Sequence, residues 1–537
     1  MTAALNSYDA IVIGAGHNGL CLAAYLARAG LKTAVLERRH EEGGAVNTEE
    51  PVLSGFRHNL HAQYMEFFDV MPFIHDFSLE KLGLRSIMPD VQAAITFADG
   101  RPPLIIYRPD LYKKTRESLA IYSKDDAELL EELRKRAKQL EPFLASSLYN
   151  PPQAGDLTNQ IEMCEALFSD LGISRDFYYK SPKGVIDSLF KTPELRALLY
   201  RVTVEWGFPV ETPCTGLAFL TFIMWTLGNW KLCKGGTHSL AKAMTQACYA
   251  LGVDVIESKE VKEIIVKGNR AVGVKVKTGE TYHANKLVAS SADLKQTLLE
   301  MVPAEKLSPL WRHRAEQFRY GPSHVLATLA FCLYDYPRYK SASHNEDLNR
   351  SFYTVVGYES DLDMIRYIRD AYSGHLPKAG AGVWVNSIFD PSQAPKGLHA
   401  LTGWVFMPPA STFAQIEWQE IRESYSLKLI EMFKNYTSNM SKDNILAYKL
   451  YTPDQMEVKN LMMEGDFSNG EFSPDQMGPN RPFPEASNYR TEIEGLYLCG
   501  ASTYPGGGVH AACGYNCYKV IAQDFKLPAP LVADRGY

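Results

Sequence analysis

The β-branched run Tyr8-Asp-Ala-Ile-Val-Ile13 stops at Gly14-Ala15-Gly16-His17-Asn18-Gly19 and passes at once into an apolar helical stretch, Leu20 to Ala29. Leu20, Ala23, Ala24 and Leu26 give that stretch one apolar face. Gly30 ends it, and Lys32-Thr-Ala-Val-Leu-Glu37 has the pattern of a second strand. Strand, glycine turn, helix and strand in this order predict a βαβ unit with a dinucleotide fingerprint in its first turn. Each glycine has a physical task. Gly14 permits the tight turn, Gly16 lets backbone approach a pyrophosphate, and Gly19 lets helix and strand pack closely. The turn Gly14 to Gly19 thus offers free N–H groups and a helix dipole to a phosphate.

Glu37 ends the second strand, 18 residues after Gly19. A carboxylate there, with Arg38 beside it, accepts hydrogen bonds from ribose hydroxyls and repels a 2′-phosphate. The expected ligand is therefore FAD or NAD, and not NADP. Gly43-Gly44-Ala45 follows, and near the other end stands Gly495-Leu-Tyr-Leu-Cys-Gly500-Ala501-Ser-Thr-Tyr504-Pro-Gly506-Gly507-Gly508-Val509-His510-Ala-Ala-Cys-Gly514. The latter reads as a strand, a glycine-dense turn and a helix, a second helix N-terminus with approachable backbone.

On these motifs the chain resembles the phytoene-desaturase and retinol-saturase branch of the FAD-dependent oxidoreductases. The resemblance covers nearly the whole chain and is densest at its two ends. It implies an α/β fold: a Rossmann-type FAD-binding domain of glutathione-reductase or amine-oxidase type, with an interleaved α+β substrate domain containing a mixed sheet and helices. It implies that Gly43 and Gly44 continue the pyrophosphate cradle, that the backbone of Val261 meets the adenine, and that Gly500, Ala501, Gly508, Val509 and His510 border the flavin. Three positions depart from the family pattern. Ala45 stands where many relatives have Arg, Tyr504 where they have His, and His510 where they have Pro.

A chain of 537 residues exceeds the ~250–300 residues that one core sustains. The expected division assigns 1–100, 226–310 and 481–537 to the FAD-binding domain and 101–225 and 311–480 to the substrate domain. The middle FAD piece carries Gly235-Gly236, a helix from Ala241 to Leu251, and β-rich stretches at 253–256, 261–266, 271–276 and 287–289. Ala127 to Leu144 reads as a charged amphipathic helix with a solvated face and no chemistry. Leu217 to Leu227 reads as a buried helix or pocket wall, too short for the ~20 residues that span a bilayer.

A formal charge of −6 leaves no basic footprint for nucleic acid. Nine Cys without a C-x-x-C pair, and no leader before the first strand, fit reduced thiols in the cytoplasm, with at most peripheral contact with a membrane. Cys513 and Cys517, one helical turn apart, read as small core residues. No metal-binding spacing and no nucleophile elbow is present.

Only one dinucleotide fingerprint exists, so electrons are expected to leave to a quinone, O2 or another protein. The expected reaction is removal of hydrogen from a CH–CH bond, with hydride passing to the flavin. The substrate is an apolar isoprenoid or carotenoid-like molecule or an alicyclic ketone. Candidate acid–base groups are Tyr504, His510, His61 and His58; the phenol qualifies only with a pKa far below ~10. Two other functions share the fold: a flavin amine oxidase, and a flavin-free prenyl-binding protein like the GDP-dissociation inhibitors.

Overall fold

The computed structural model describes residues 6–153, 155–322 and 325–530. The ends of the first and last expected segments, 1–5 and 531–537, lie outside the described residues.

The β-branched run forms the strand Ser7–Ile13, and it sits in the middle of a seven-stranded sheet. Thr33–Leu36 and then Asp254–Ile256 pair parallel on one side of it. Thr281–Ser290 and then Leu496–Leu498 pair parallel on the other. The hairpin Val261–Lys267 and Arg270–Val276 continues antiparallel from the early part of Thr281–Ser290. Residues from the beginning, middle and end of the chain therefore share one sheet.

The helix His17–Arg28 follows the first strand, and every residue from Asn18 to Leu26 is buried. Its apolar composition suits that position, because His238–Ala250 packs on one side and Ala512–Phe525 on another. The second crossing is very close: a Cβ on Gly514 would lie 2.0 Å from the Asn18 carbonyl oxygen.

A second seven-stranded sheet runs in the order Ile445–Tyr451, Leu326–Leu333, His399–Phe406, Ala381–Trp384, Tyr353–Val356, Val91–Ile95, Leu104–Tyr107. Only Tyr353–Val356 and Val91–Ile95 pair parallel. Alternation along Leu326–Leu333 sends Ala327, Leu329, Phe331 and Leu333 toward the long helix Gln415–Tyr436. The other face is covered by Pro193–Glu205, anchored by a buried ion pair of Arg201 and Glu205 at 2.8 Å.

Two expectations need correction. Val91–Ile95, placed in the 1–100 FAD piece, is a strand of the second sheet, because its five buried residues find their partners there. The expected helix from Ala127 to Leu144 is two, Lys124–Gln139 and Glu141–Leu148, the second opening on Pro142, which cannot sit in a helix interior. The run from Leu217 is buried, as expected, and contains a π-helical turn, Phe219–Ile223. Among the described residues no helix is long and apolar enough to cross a membrane.

Candidate active site

The strand Ser7–Ile13 delivers the glycine turn to the edge of a cavity of about 520 Å3. Gly14 has φ +91°, a conformation that favours glycine. A Cβ on Gly19 would stand 2.1 Å from the Gly14 carbonyl oxygen, so this glycine serves close packing. A Cβ on Gly16 would meet nothing within 4 Å; its open side faces the cavity. The Gly43 N–H donates to Ala15 O at 2.9 Å, and this places Gly44 against Gly16. Glu37 is buried, and its two oxygens accept from the N–H groups of Ala15 and Arg39, each at 2.8 Å. It lines the same cavity, as do His17, Asn18, Arg38, Ala45, Val261 and Ala501.

The C-terminal turn meets the N-terminal one directly. His17 Nε2–H donates to the Gly508 carbonyl at 3.1 Å, and Gly514 N–H reaches Asn18 Oδ1 at 3.4 Å. Gly500 is a packing glycine like Gly19, since its Cβ would stand 2.5 Å from Ser291 O. Val509 packs against the main apolar core.

Beyond Gly507 and His510 lies a second cavity, of about 290 Å3. Phe67, Leu144, Trp206, Phe222 and Phe472 supply apolar walls, while Ser147, Gln160, Asn480 and Tyr504 supply scattered polar groups. The Phe67 ring stands edge-on to His510 at 5.8 Å and to Trp206 at 5.4 Å. Leu144 belongs to the stretch expected to be solvated and without chemistry; the break near Leu140 turns its last part inward.

Comparison with known proteins matches residues 19–330 to the family of flavin containing amine oxidoreductases. A limonene dehydrogenase subunit of Castellaniella defragrans is 35% identical over 97% of this chain and 95% of its own. The chain belongs to the flavin containing amine oxidoreductase family. A mouse relative, pyridine nucleotide-disulfide oxidoreductase domain-containing protein 2, is 29% identical over 97% of this chain and 94% of its own. Cyclohexylamine oxidase from Brevibacterium oxydans shares the fold, with TM-score 0.57 at 14% identity over 97% of this chain and 99% of its own. The family's cofactor is FAD. The cradle fits that group: an open glycine face, a fixed carboxylate and a long cavity between the two glycine turns.

The four expected acid–base residues of this flavoprotein divide by position. Tyr504 lines the apolar cavity, but its hydroxyl donates to Ser147 O at 2.9 Å, and burial pushes its pKa up to about 12. A phenol so held is a poor base. His510 also lines the cavity; its Nδ1 accepts from Ala512 N–H at 3.0 Å, and burial lowers its pKa to about 3. The ring is neutral at physiological pH, and its proton sits on Nε2.

His61 and His58 correct the sequence expectation. His61 Nε2–H donates to Asn460 Oδ1 at 2.9 Å, and Asn460 Nδ2 donates to Gly44 O at 3.1 Å. This imidazole therefore props the cradle, and burial lowers its pKa to about 4. His58 is fully buried between Thr402 (3.1 Å) and Cys332 (3.9 Å) of the second sheet, and it lines neither cavity. Its side chain is a core polar group.

Several site residues escaped the sequence reading. Ser291, Ala292 and Asp293 line the larger cavity from the end of Thr281–Ser290, the edge where α/β sheets bind ligands. Ser291 Oγ donates to Ile13 O at 2.8 Å. Asn460, Leu461 and Met462 reach the same cavity from a distant segment, tied down by Arg38 to the Lys459 carbonyl and by Lys459 to Glu49. Arg481, fully buried, donates to the carbonyls of Ser468 (3.1 Å), Asn469 (3.2 Å), Ala501 (3.0 Å) and Thr503 (3.3 Å). It stitches the C-terminal turn to a neighbouring loop. Cys513 and Cys517 are buried and free.

Proposed function

We propose that this chain is an FAD-dependent dehydrogenase that oxidises a C–H bond of a small, apolar, alicyclic molecule of roughly monoterpene size. The observation that carries the reading is the cavity of about 290 Å3 beside Gly507 and His510. It lies at the lower end of the ~300–1,000 Å3 of small-molecule sites, and its walls are largely aromatic and aliphatic. That volume suits a single ring better than an extended carotenoid. The 35% identity to the limonene dehydrogenase chain supports the same choice.

In this reading the amides of Gly14 to Gly19 and the pair Gly43-Gly44 hold the pyrophosphate, with Ala45 adding no charge. Glu37 holds the ribose, Val261 borders the adenine, and Ala501 with Gly508, Val509 and His510 borders the ring. FAD bound there supplies the acceptor for hydride. Phe67, Trp206 and Phe222 exclude water and orient the substrate by shape. His510 stays neutral and offers Nε2–H as a donor. Hydrogen leaves adjacent carbons, and the electrons pass on to a quinone, O2 or another protein.

The test is anaerobic mixing of the oxidised holoenzyme with cyclic terpenes, cyclic ketones, polyenes and amines, following the visible flavin absorbance. Cyclic terpenes or ketones are expected to bleach it. Bleaching by amines alone overturns the reading, and a protein that cannot be loaded with FAD removes its basis.

A further inference from the structure

The apolar cavity is bounded sideways by a belt of rings whose contacts return to their starting point. From His510 the contacts pass to Phe67, at 5.8 Å between ring centres, and from Phe67 to Trp206 at 5.4 Å. Trp206 meets Phe222 at 6.5 Å, and Phe222 meets Phe208 at 6.1 Å. Phe208 then stacks on Phe472 at 5.4 Å, with the ring planes 26° apart. Phe472 packs on Gly506, where a Cβ would stand 2.4 Å from its ring, and Gly506 belongs to the turn that carries His510. All six rings line the same cavity of about 290 Å3. Phe208 therefore stands across the cavity from Phe67.

The backbone and its neighbours hold the pair that closes the belt. The helix Pro193–Glu205 ends before Gly207, which has φ +85°. The N–H groups of Gly207 and Phe208 return to the carbonyls of Val204 at 2.8 Å and Thr203 at 3.2 Å. This glycine-terminated helix end fixes the residue that follows the glycine. Phe472 is clamped between Gly506 and the Arg481 guanidinium, which lies 4.9 Å from the centre of its ring. Both phenylalanines are buried, and a close-packed interior gives way little to an added group. The cavity is less confined along another direction. Gln153, Leu157 and Pro479 line it and are exposed, which marks its mouth.

Resting on the dehydrogenase reading, we propose that Phe208 and Phe472 set substrate specificity by width: they admit one ring and refuse a fused pair. Length is left free, because a thin tail can extend toward the mouth. A fused second ring adds width where the closing pair stands, and it has to displace side chains that their neighbours hold. One methylene too many in an apolar pocket already changes selection by about 10- to 200-fold, and a fused ring adds several.

The test uses three saturated hydrocarbons of equal carbon number that differ in width: decane, butylcyclohexane and decalin. None of them reacts, so binding to the oxidised holoenzyme is read from the shift of the visible flavin spectrum. Wild type should bind butylcyclohexane about tenfold or more tightly than decalin. Phe208→Ala should shift that ratio about tenfold toward decalin, with FAD content retained. Phe472→Leu should shift it the same way, and decane should not share the gain. Phe208→Trp narrows the belt and should weaken butylcyclohexane by about tenfold. An unchanged ratio in Phe208→Ala, or an equal gain for decane, overturns the proposal. Where Phe208→Ala does not fold, Phe208→Leu makes the same comparison, with a smaller shift expected and an unchanged ratio again decisive against the pair. These affinities need no turnover. If amines alone bleach the wild type, the dehydrogenase reading fails, while the hydrocarbon ratios still decide whether the belt selects by width.

Discussion

The dinucleotide cradle and the apolar cavity are neighbours made in opposite ways. The cradle is backbone: N–H groups of a turn, glycines without a side chain, and one carboxylate held by two amides. The cavity is side chains: Phe67, Leu144, Trp206, Phe222, Phe472 and Tyr504 arrive from five separate stretches of chain, only Trp206 and Phe222 being near one another. A ligand recognised by backbone leaves a short, fixed spacing of residues behind it. A ligand enclosed by side chains leaves only a general richness in aromatics, which an ordinary core shares.

The sharpest way to break this contrast is to add one methyl group at two glycines. At Gly19 a Cβ would stand 2.1 Å from backbone, whereas at Gly16 it would meet no protein atom within 4 Å. Gly19→Ala should therefore destabilise the apoprotein by about 1–3 kcal/mol, read as a lowered Tm, and lose FAD as well. Gly16→Ala should leave the apoprotein Tm unchanged and weaken FAD by about 10²-fold, near 2.7 kcal/mol. Calorimetry of apoprotein and fluorescence titration with FAD separate the two. Tight FAD binding by Gly16→Ala would mean that the pyrophosphate does not approach there.

The same contrast explains what was legible in the chain. Ser7–Ile13, His17–Arg28 and Thr33–Leu36 follow from local pattern, and the tasks assigned to Gly14 and Gly19 have their counterparts in the backbone. Leu144 was misread because charge along Lys124–Gln139 masks the buried apolar face of Ala127, Leu130, Leu133 and Ala137, which Leu144 continues on the next helix. His58 was misread because a histidine near a pocket motif looks the same whether it faces the pocket or the sheet behind it. Asn460 carries no motif, yet it reaches Gly44 across 416 positions.

A smaller effect tests the placement of the histidines on both sides of the contrast. Burial lowers His17, His58 and His61 to about 4 and His510 to about 3, against ~6.5 for a free imidazole. Between these values the unfolded chain binds protons that the native rings refuse. Stability is thus fully present above about pH 6.5 and is lost as pH falls toward about 4. Asp466 and Glu66, raised by burial to about 6 and about 8, work in the opposite direction, as do buried Glu205 and Asp293. The Tm of the holoenzyme should decline over this window, and His58→Asn should make the decline shallower. A Tm that is flat from about pH 6.5 to 4 would show that the rings are charged in the native protein.

The smallest effect is expected at Tyr504, where the two regions touch. Sequence alone made this phenol a candidate base, and a base there would lose about 10²-fold in bleaching rate as Tyr504→Phe. The geometry argues otherwise. The hydroxyl already donates to Ser147 O, which spans the gap between the C-terminal turn and the helix Glu141–Leu148. A pKa near 12 keeps the proton on it throughout the working range. Removing the hydroxyl deletes one hydrogen bond, about 0.5–1.5 kcal/mol, and leaves the ring in the cavity wall. Stopped-flow bleaching of Tyr504→Phe should stay within about threefold of wild type, with a slightly lowered Tm. A hundredfold loss would instead move proton transfer to the glycine turn itself.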